Sequence, residues 1–285
     1  MAATEHSPAP MLPMSSIKPG RIMIWTVLLL GGLLMITPIL FMFSTSLKTS
    51  GQIYDLRLIP QNPTFENYIK VLTEGEFLRW FLNSSFVAIC VTTSNCFFDS
   101  LVGYTLAKFS FRGRQFVFIA ILSTLMIPTE MLVIPWYLMS ANLGWLDSYW
   151  GIMFPGMMTA FGTFLMKQFF ETVPDDFIEA ARMDGLSEFT IWWKIAMPLV
   201  TPALSALAIF TFLGNWTAFF WPLISTTSKE LYTLPVGLTS FAVEQSIQWE
   251  MIMTGAALAT IPTLLVFLAL QRFIVRGVML AGLKG

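Results

Sequence analysis

The amino-acid sequence predicts an all-α membrane protein with six spanning helices. Three features point there. Of 285 residues, 55% are hydrophobic and only 12% are charged, about half the charged share of an ordinary soluble domain. The apolar residues gather into six stretches, each near the ~20 residues that a helix needs to cross a bilayer core. Lys and Arg divide unequally between alternate connecting segments.

The six stretches are Ile22–Phe43, Phe81–Ala107, Phe116–Leu138, Gly151–Met166, Leu199–Ile224 and Met251–Ile274. The first is too long for the ~7–15-residue apolar core of a cleaved leader, and no small-x-small site follows it, so it is read as a retained helix. Residues 1–20, with prolines at 8, 10, 13 and 19, are expected to form a loosely attached amino-terminal tail before a membrane domain over 21–285. The fourth stretch is interrupted by Gly151, Pro155, Gly156 and Gly162. Pro38, Pro128, Pro135, Pro202, Pro222 and Pro262 sit in or beside the others. Neighbouring helices can satisfy the backbone groups that proline frees, which suits a bundle lining a pathway.

Counting Lys and Arg by loop gives 11 on the side of both termini and 5 on the other. Loops rich in Lys and Arg stay cytoplasmic, so both termini are expected inside.

The inventory also excludes functions. No basic stripe suggests nucleic acid. The single histidine, His6, lies in the tail, so neither a metal centre nor a histidine-dependent catalytic triad can be assembled, and no cofactor is expected. Cys90 and Cys96 share one helix about 9 Å apart along its axis and are read as packing residues that do not bridge. No phosphate-cradling G-x-x-x-x-G-K-[ST] is present, so ATP hydrolysis is not expected of this chain.

One segment does not belong in a bilayer. Residues 174–198 are too polar to span and too patterned for a loose loop. Pro174, Asp175 and Asp176 favour a helix start, and Phe177, Ala180, Ala181 and Asp184 follow helical spacing. Gly185 stops that helix, Ser187 caps a second, Glu188 to Ile195, and Pro198 closes it. The residues alone permit two readings: a surface that another protein approaches, or an interfacial helix lying on lipid.

EAARMDGLSEFTIWWKIAMP resembles the EAA loop of ABC-importer permeases, E-A-A, three residues, G, nine residues, I-x-L-P. Glu179, Ala180, Ala181, Gly185, Ile195 and Pro198 stand at those spacings, with Met197 where Leu is usual. PTEMLVIPWYLMSANLGWLDSYWGIMFP (Pro128–Pro155), GNWTAFFWPLI (Gly214–Ile224) and QRFIVRG (Gln271–Gly277) are similar to the carbohydrate-type members, closest to the second permease of maltose-, lactose- or glycerol-phosphate-type importers. The resemblance implies the type I permease architecture with a coupling helix docked on an ATPase through those six residues. It also implies a second homologous permease, two ATP-binding-cassette subunits, an extracytoplasmic solute-binding protein and a sugar-like solute.

Candidate path residues are the intramembrane acids Asp99 and Glu130, and Asn215 with Trp216, an amide and an indole suited to a sugar ring. For Asp99 the alternative is pairing with a neighbouring helix or the Lys108 region, and for Asn215 and Trp216 helix packing. Trp136, Tyr137, Trp145, Tyr149 and Trp150 read as an interfacial aromatic belt. Two other functional classes compete. An ion-gradient-driven carrier or channel predicts an inverted repeat, which the sequence does not display. A membrane enzyme needs a convergent catalytic set.

Overall fold

The computed structural model describes residues 19–73, 75–243 and 246–282. The 1–20 tail is therefore outside the described residues up to residue 18. The structure is helical apart from one two-residue antiparallel pairing, Ala242–Val243 with Ser246–Ile247.

Three apolar stretches form long single helices: α1 (Pro19–Ser46), α3 (Phe77–Lys108) and α14 (Trp249–Gly282). Pro38 and Pro262 sit inside α1 and α14 without ending them. Between α1 and α3 lies the short α2 (Glu66–Thr73). The remaining stretches are broken. The third is α4 (Arg114–Thr124) and α5 (Val133–Leu143), joined through a 3-10 turn at Thr129–Leu132 and bent by 93°. Hydropathy over 116–138 cannot register such a bend, although Pro128 marks it. The fourth is α6 (Tyr149–Met153), a turn, and α7 (Ala160–Glu171). Next come α8 (Asp175–Met183), α9 (Glu188–Ile191) with a π-helical turn at Trp192–Ala196, and α10 (Met197–Leu199). The fifth stretch is α11 (Thr201–Trp216) and α12 (Phe220–Ser225), followed by α13 (Leu234–Leu238). Among the described residues, three helices are long and apolar enough to cross a membrane, or five if each bent pair is one span.

α3 is the axis of the bundle, packed along α7 and α11, while α14 packs on α11 and α1. The connections gather at two ends. At one end, α1 finishes where Asn67 donates to the Ser46 and Lys48 carbonyls at 2.9 and 2.8 Å. There too Trp80, Arg79 and Asn83 donate to carbonyls of Lys229 and Glu230. At the other end, Lys108 meets Val173 and Asp175. The segments carrying Lys108, Arg182 and Lys194 therefore share one end. In α1 the apolar window is wholly uncovered, as for a helix meant for lipid or another subunit.

Candidate functional site

Two sites stand out, one at each functional level that the sequence suggested. The first is the elbow over residues 171–200. α8 begins at Asp175 and Asp176, acids that suit the positive end of a helix. Its inward face is Ile178 and Ala181, buried in a core with Tyr104, Phe170, Trp192 and Leu207. Gly185 ends it at φ +79°, a left-handed conformation that strains other residues. The Gly185 and Leu186 N–H groups bond the Arg182 and Ala181 carbonyls at 3.0 and 3.1 Å, the paired pattern of a Schellman stop. Ser187 then accepts from the Thr190 N–H and caps α9.

Charges brace this elbow. Arg182 donates to both carboxylate oxygens of Glu188 across the glycine turn, at 2.6 and 3.2 Å, and Tyr104 donates to Glu188 at 3.4 Å. The Glu188 bond raises the Arg182 guanidinium above its ordinary value. Lys108, at the end of α3, bonds the Asp175 carboxylate at 2.6 Å and holds that carboxyl below the usual range. Trp192 is fully buried and rests edge-on against Phe97 at 5.3 Å. The segment Glu188–Leu199 then turns 86° into α11.

Of the residues predicted to dock a partner, Glu179, Ala180, Gly185 and Pro198 are exposed and Ile195 is half-buried. Ala181 is not on the surface. It is 5% exposed and packs inward, because it lies three residues after Ile178 on the same face. The outward face gains Phe177, Phe189 and Met183, the last 89% exposed. Exposed apolar side chains among charges mark interaction surfaces. Their signal in the sequence was an apolar residue at an off-core helical position.

The second site is a cavity of about 470 Å³ where three helix breaks converge. It is lined from the α4–α5 bend (Thr124, Thr129, Trp136), the α6–α7 turn (Pro155, Gly156, Thr159) and the α11–α12 break (Asn215, Ala218, Trp221). Inside a bilayer, non-helical backbone persists only where protein buries it or where it lines a cavity. A polar face of α3 does that burying. Ser94 donates to the Met157 carbonyl and Asn95 to that of Gly156, both at 2.6 Å. Asp99 accepts from the Thr159 N–H and hydroxyl at 3.0 and 2.8 Å. Thr159 in turn caps α7 through the Gly162 N–H. A Cβ at residue 162 would fall 1.9 Å from the Asp99 carboxylate, so only glycine admits this approach.

The four predicted path residues therefore separate. Asn215 lines the cavity. Trp216 does not. One residue along α11 turns its side chain away, to 3% exposure, with its indole N–H on the Ala259 carbonyl at 3.0 Å. Asp99 is fully buried behind Thr159. Glu130 is exposed in the α4–α5 bend, outside the lining. The indoles facing the cavity are Trp136, expected in an interfacial belt, and Trp221, which sequence reasoning missed. They meet edge to face at 5.6 Å.

Residues 100–280 match the family model described as binding-protein-dependent transport system inner membrane component. The chain belongs to this family. It is thus a membrane permease component of ABC-importer type, with the all-helical fold of that group. Over 270 residues it is 33% identical to the arabinooligosaccharides transport system permease protein AraQ of Bacillus subtilis (strain 168), covering 93% of this chain and 96% of the relative. It is also 33% identical to the sn-glycerol-3-phosphate transport system permease protein UgpE of Brucella abortus (strain 2308), over 88% and 93%. A chain in the crystal structure of a bacterial ABC transporter that imports the acidic polysaccharide alginate superposes with a TM-score of 0.82 at 26% identity, covering 93% of this chain and all of that one. In this inner membrane component the matched span includes the elbow and the three helix breaks that line the cavity.

Proposed function

We propose that this chain is one of two permease halves of an ATP-driven importer for a sugar or sugar-like solute. The solute arrives from an extracytoplasmic binding protein, and two ATP-binding-cassette subunits supply the energy. In this reading the six apolar stretches are six spans, both termini are cytoplasmic, and residues 174–198 are the coupling helix. The printed roles of the arabinooligosaccharide, glycerol-phosphate and alginate systems support the solute class.

The observation that carries the reading is the elbow. It offers Glu179, Ala180 and Met183 outward while Lys108, Tyr104 and Trp192 tie it to the bundle. A push on α8 passes through a packed core into α3, α7 and α11. The test replaces Glu179 with Arg and Gly185 with Val in the complex co-expressed with its ATPase. The expected result is loss of ATPase co-purification and of solute-stimulated hydrolysis, with the permease still in the membrane. Unchanged co-purification and hydrolysis would refute the docking role.

A further inference from the structure

The cavity has aromatic walls and, among the described residues, no ionisable residue in its lining. We propose that it is a subsite, on this chain, for a neutral sugar ring, and that it discriminates against acidic sugars and sugar phosphates. The inference rests on the importer reading and narrows its substrate class.

The first argument is the direction of the hydrogen bonds. Thr124 spends its hydroxyl proton on the Ile121 carbonyl at 2.7 Å, and Thr159 spends its own on Asp99. Asn215 spends an amide proton on the Thr211 carbonyl at 2.8 Å, and Trp221 spends its indole N–H on the Gly151 carbonyl at 3.0 Å. What these four present to a guest is acceptor oxygens, the one remaining Asn215 amide proton and a flat ring. Sugar hydroxyls donate as well as accept and match that surface. A phosphate or carboxylate only accepts and finds few donors here.

The second argument is charge. Among the described residues no Lys or Arg lines the cavity, so an anion would lose water without gaining a cation. The acids close by have the wrong sign for it: Asp99 behind Thr159, and Glu130 between the lining residues Thr129 and Leu132. The third is shape. Trp136 and Trp221 cross edge to face at 74°, so that the ring meeting the other with its edge keeps its own faces clear of it, and the bond to Gly151 holds Trp221 in place before a ligand arrives. Preset side chains lower the ordering cost of binding.

The test uses the assembled transporter in lipid nanodiscs, without a solute-binding protein, so that selectivity comes from the permeases. Saturation-transfer NMR is recorded with neutral arabinotriose and acidic trigalacturonate. The expected result is transfer to arabinotriose and little or none to trigalacturonate. Trp136→Ala should weaken it roughly three- to tenfold, the range for one aromatic contact, while Trp25→Ala, on the exposed face of α1, leaves it unchanged. Thr129→Lys, at an exposed position on the cavity lining, should raise the trigalacturonate signal. The proposal is overturned by comparable transfer to trigalacturonate, by no transfer to either trimer, by arabinotriose transfer indifferent to Trp136→Ala, or by a Thr129→Lys protein still blind to trigalacturonate. Failure of the importer reading appears separately, as absence of ATP-dependent uptake of every sugar by the complete system.

Discussion

The elbow and the cavity are built from opposite materials. The elbow is tied by ion pairs, Lys108–Asp175 and Arg182–Glu188, over a core centred on Trp192. Among the described residues the cavity lining carries no charge, and its walls are held by hydrogen bonds between α3 and interrupted backbone. The contrast fits two tasks. A segment that transmits force must move as one body with the bundle. A surface that meets passing solutes needs neutral, repeated contacts that hold weakly, and broken helices supply the carbonyls and the space for it. Both rely on α3, whose last turn braces the elbow and whose middle satisfies the α6–α7 break.

The sharpest way to break this contrast is Trp192→Ala. Truncating a fully buried indole leaves a void and costs about 3–5 kcal/mol, so the purified protein should melt at a markedly lower temperature and lose ATPase coupling. A melt close to that of the parent would mean that the elbow is not welded to the core. A smaller effect separates Trp216 from the cavity. Trp216→Phe deletes the N–H bond to Ala259 and should cost about 1 kcal/mol, seen as a modest drop in melting temperature with the sugar specificity of uptake intact. Altered specificity would return Trp216 to the solute path.

The smallest effect is the pH response of the brace. The Asp175 carboxyl is held below its ordinary value by Lys108. A depressed carboxyl contributes stability that is fully present above the unfolded-state value, about 3.9, and is lost as pH falls through the lower folded value. Wild type should therefore lose melting temperature on acidification below about pH 4, and Asp175→Asn should flatten part of that loss. Because Asp175 is largely exposed, high salt should shrink the difference. An identical acid limb in both proteins would show the pair to be idle.

Much of the elbow was legible in the sequence because its determinants are local: acids at a helix start, Gly185 at a left-handed stop, Ser187 at a cap. The spans were legible as apolar mass and not as shape. A hydropathy window averages across the α4–α5 bend, and a proline such as Pro128 at a break looks like Pro38 or Pro262 inside a continuous helix. The cavity was the least legible. Asn215 and Trp216 are neighbours in sequence but face apart, and the partner of Asn215 across the cavity is Trp136, some eighty residues away. Only the convergence of three breaks brings them together. Asp99 looked like a path residue because intramembrane acids are costly, and its cost is offset by the N–H and hydroxyl of Thr159, the residue that caps α7.

The central claim, that α8 meets an ATPase through one defined face, is tested most directly by site-specific crosslinking. Ala180→Cys and Ala181→Cys would each be placed in a cysteine-free background and crosslinked to the co-expressed ATPase in native membranes. Ala180 is exposed and Ala181 buried, one residue apart. The expected result is an ATPase adduct from position 180 that changes in yield when ATP is added, and little or none from position 181. Adducts of equal yield from both positions, or from 181 alone, would contradict the account.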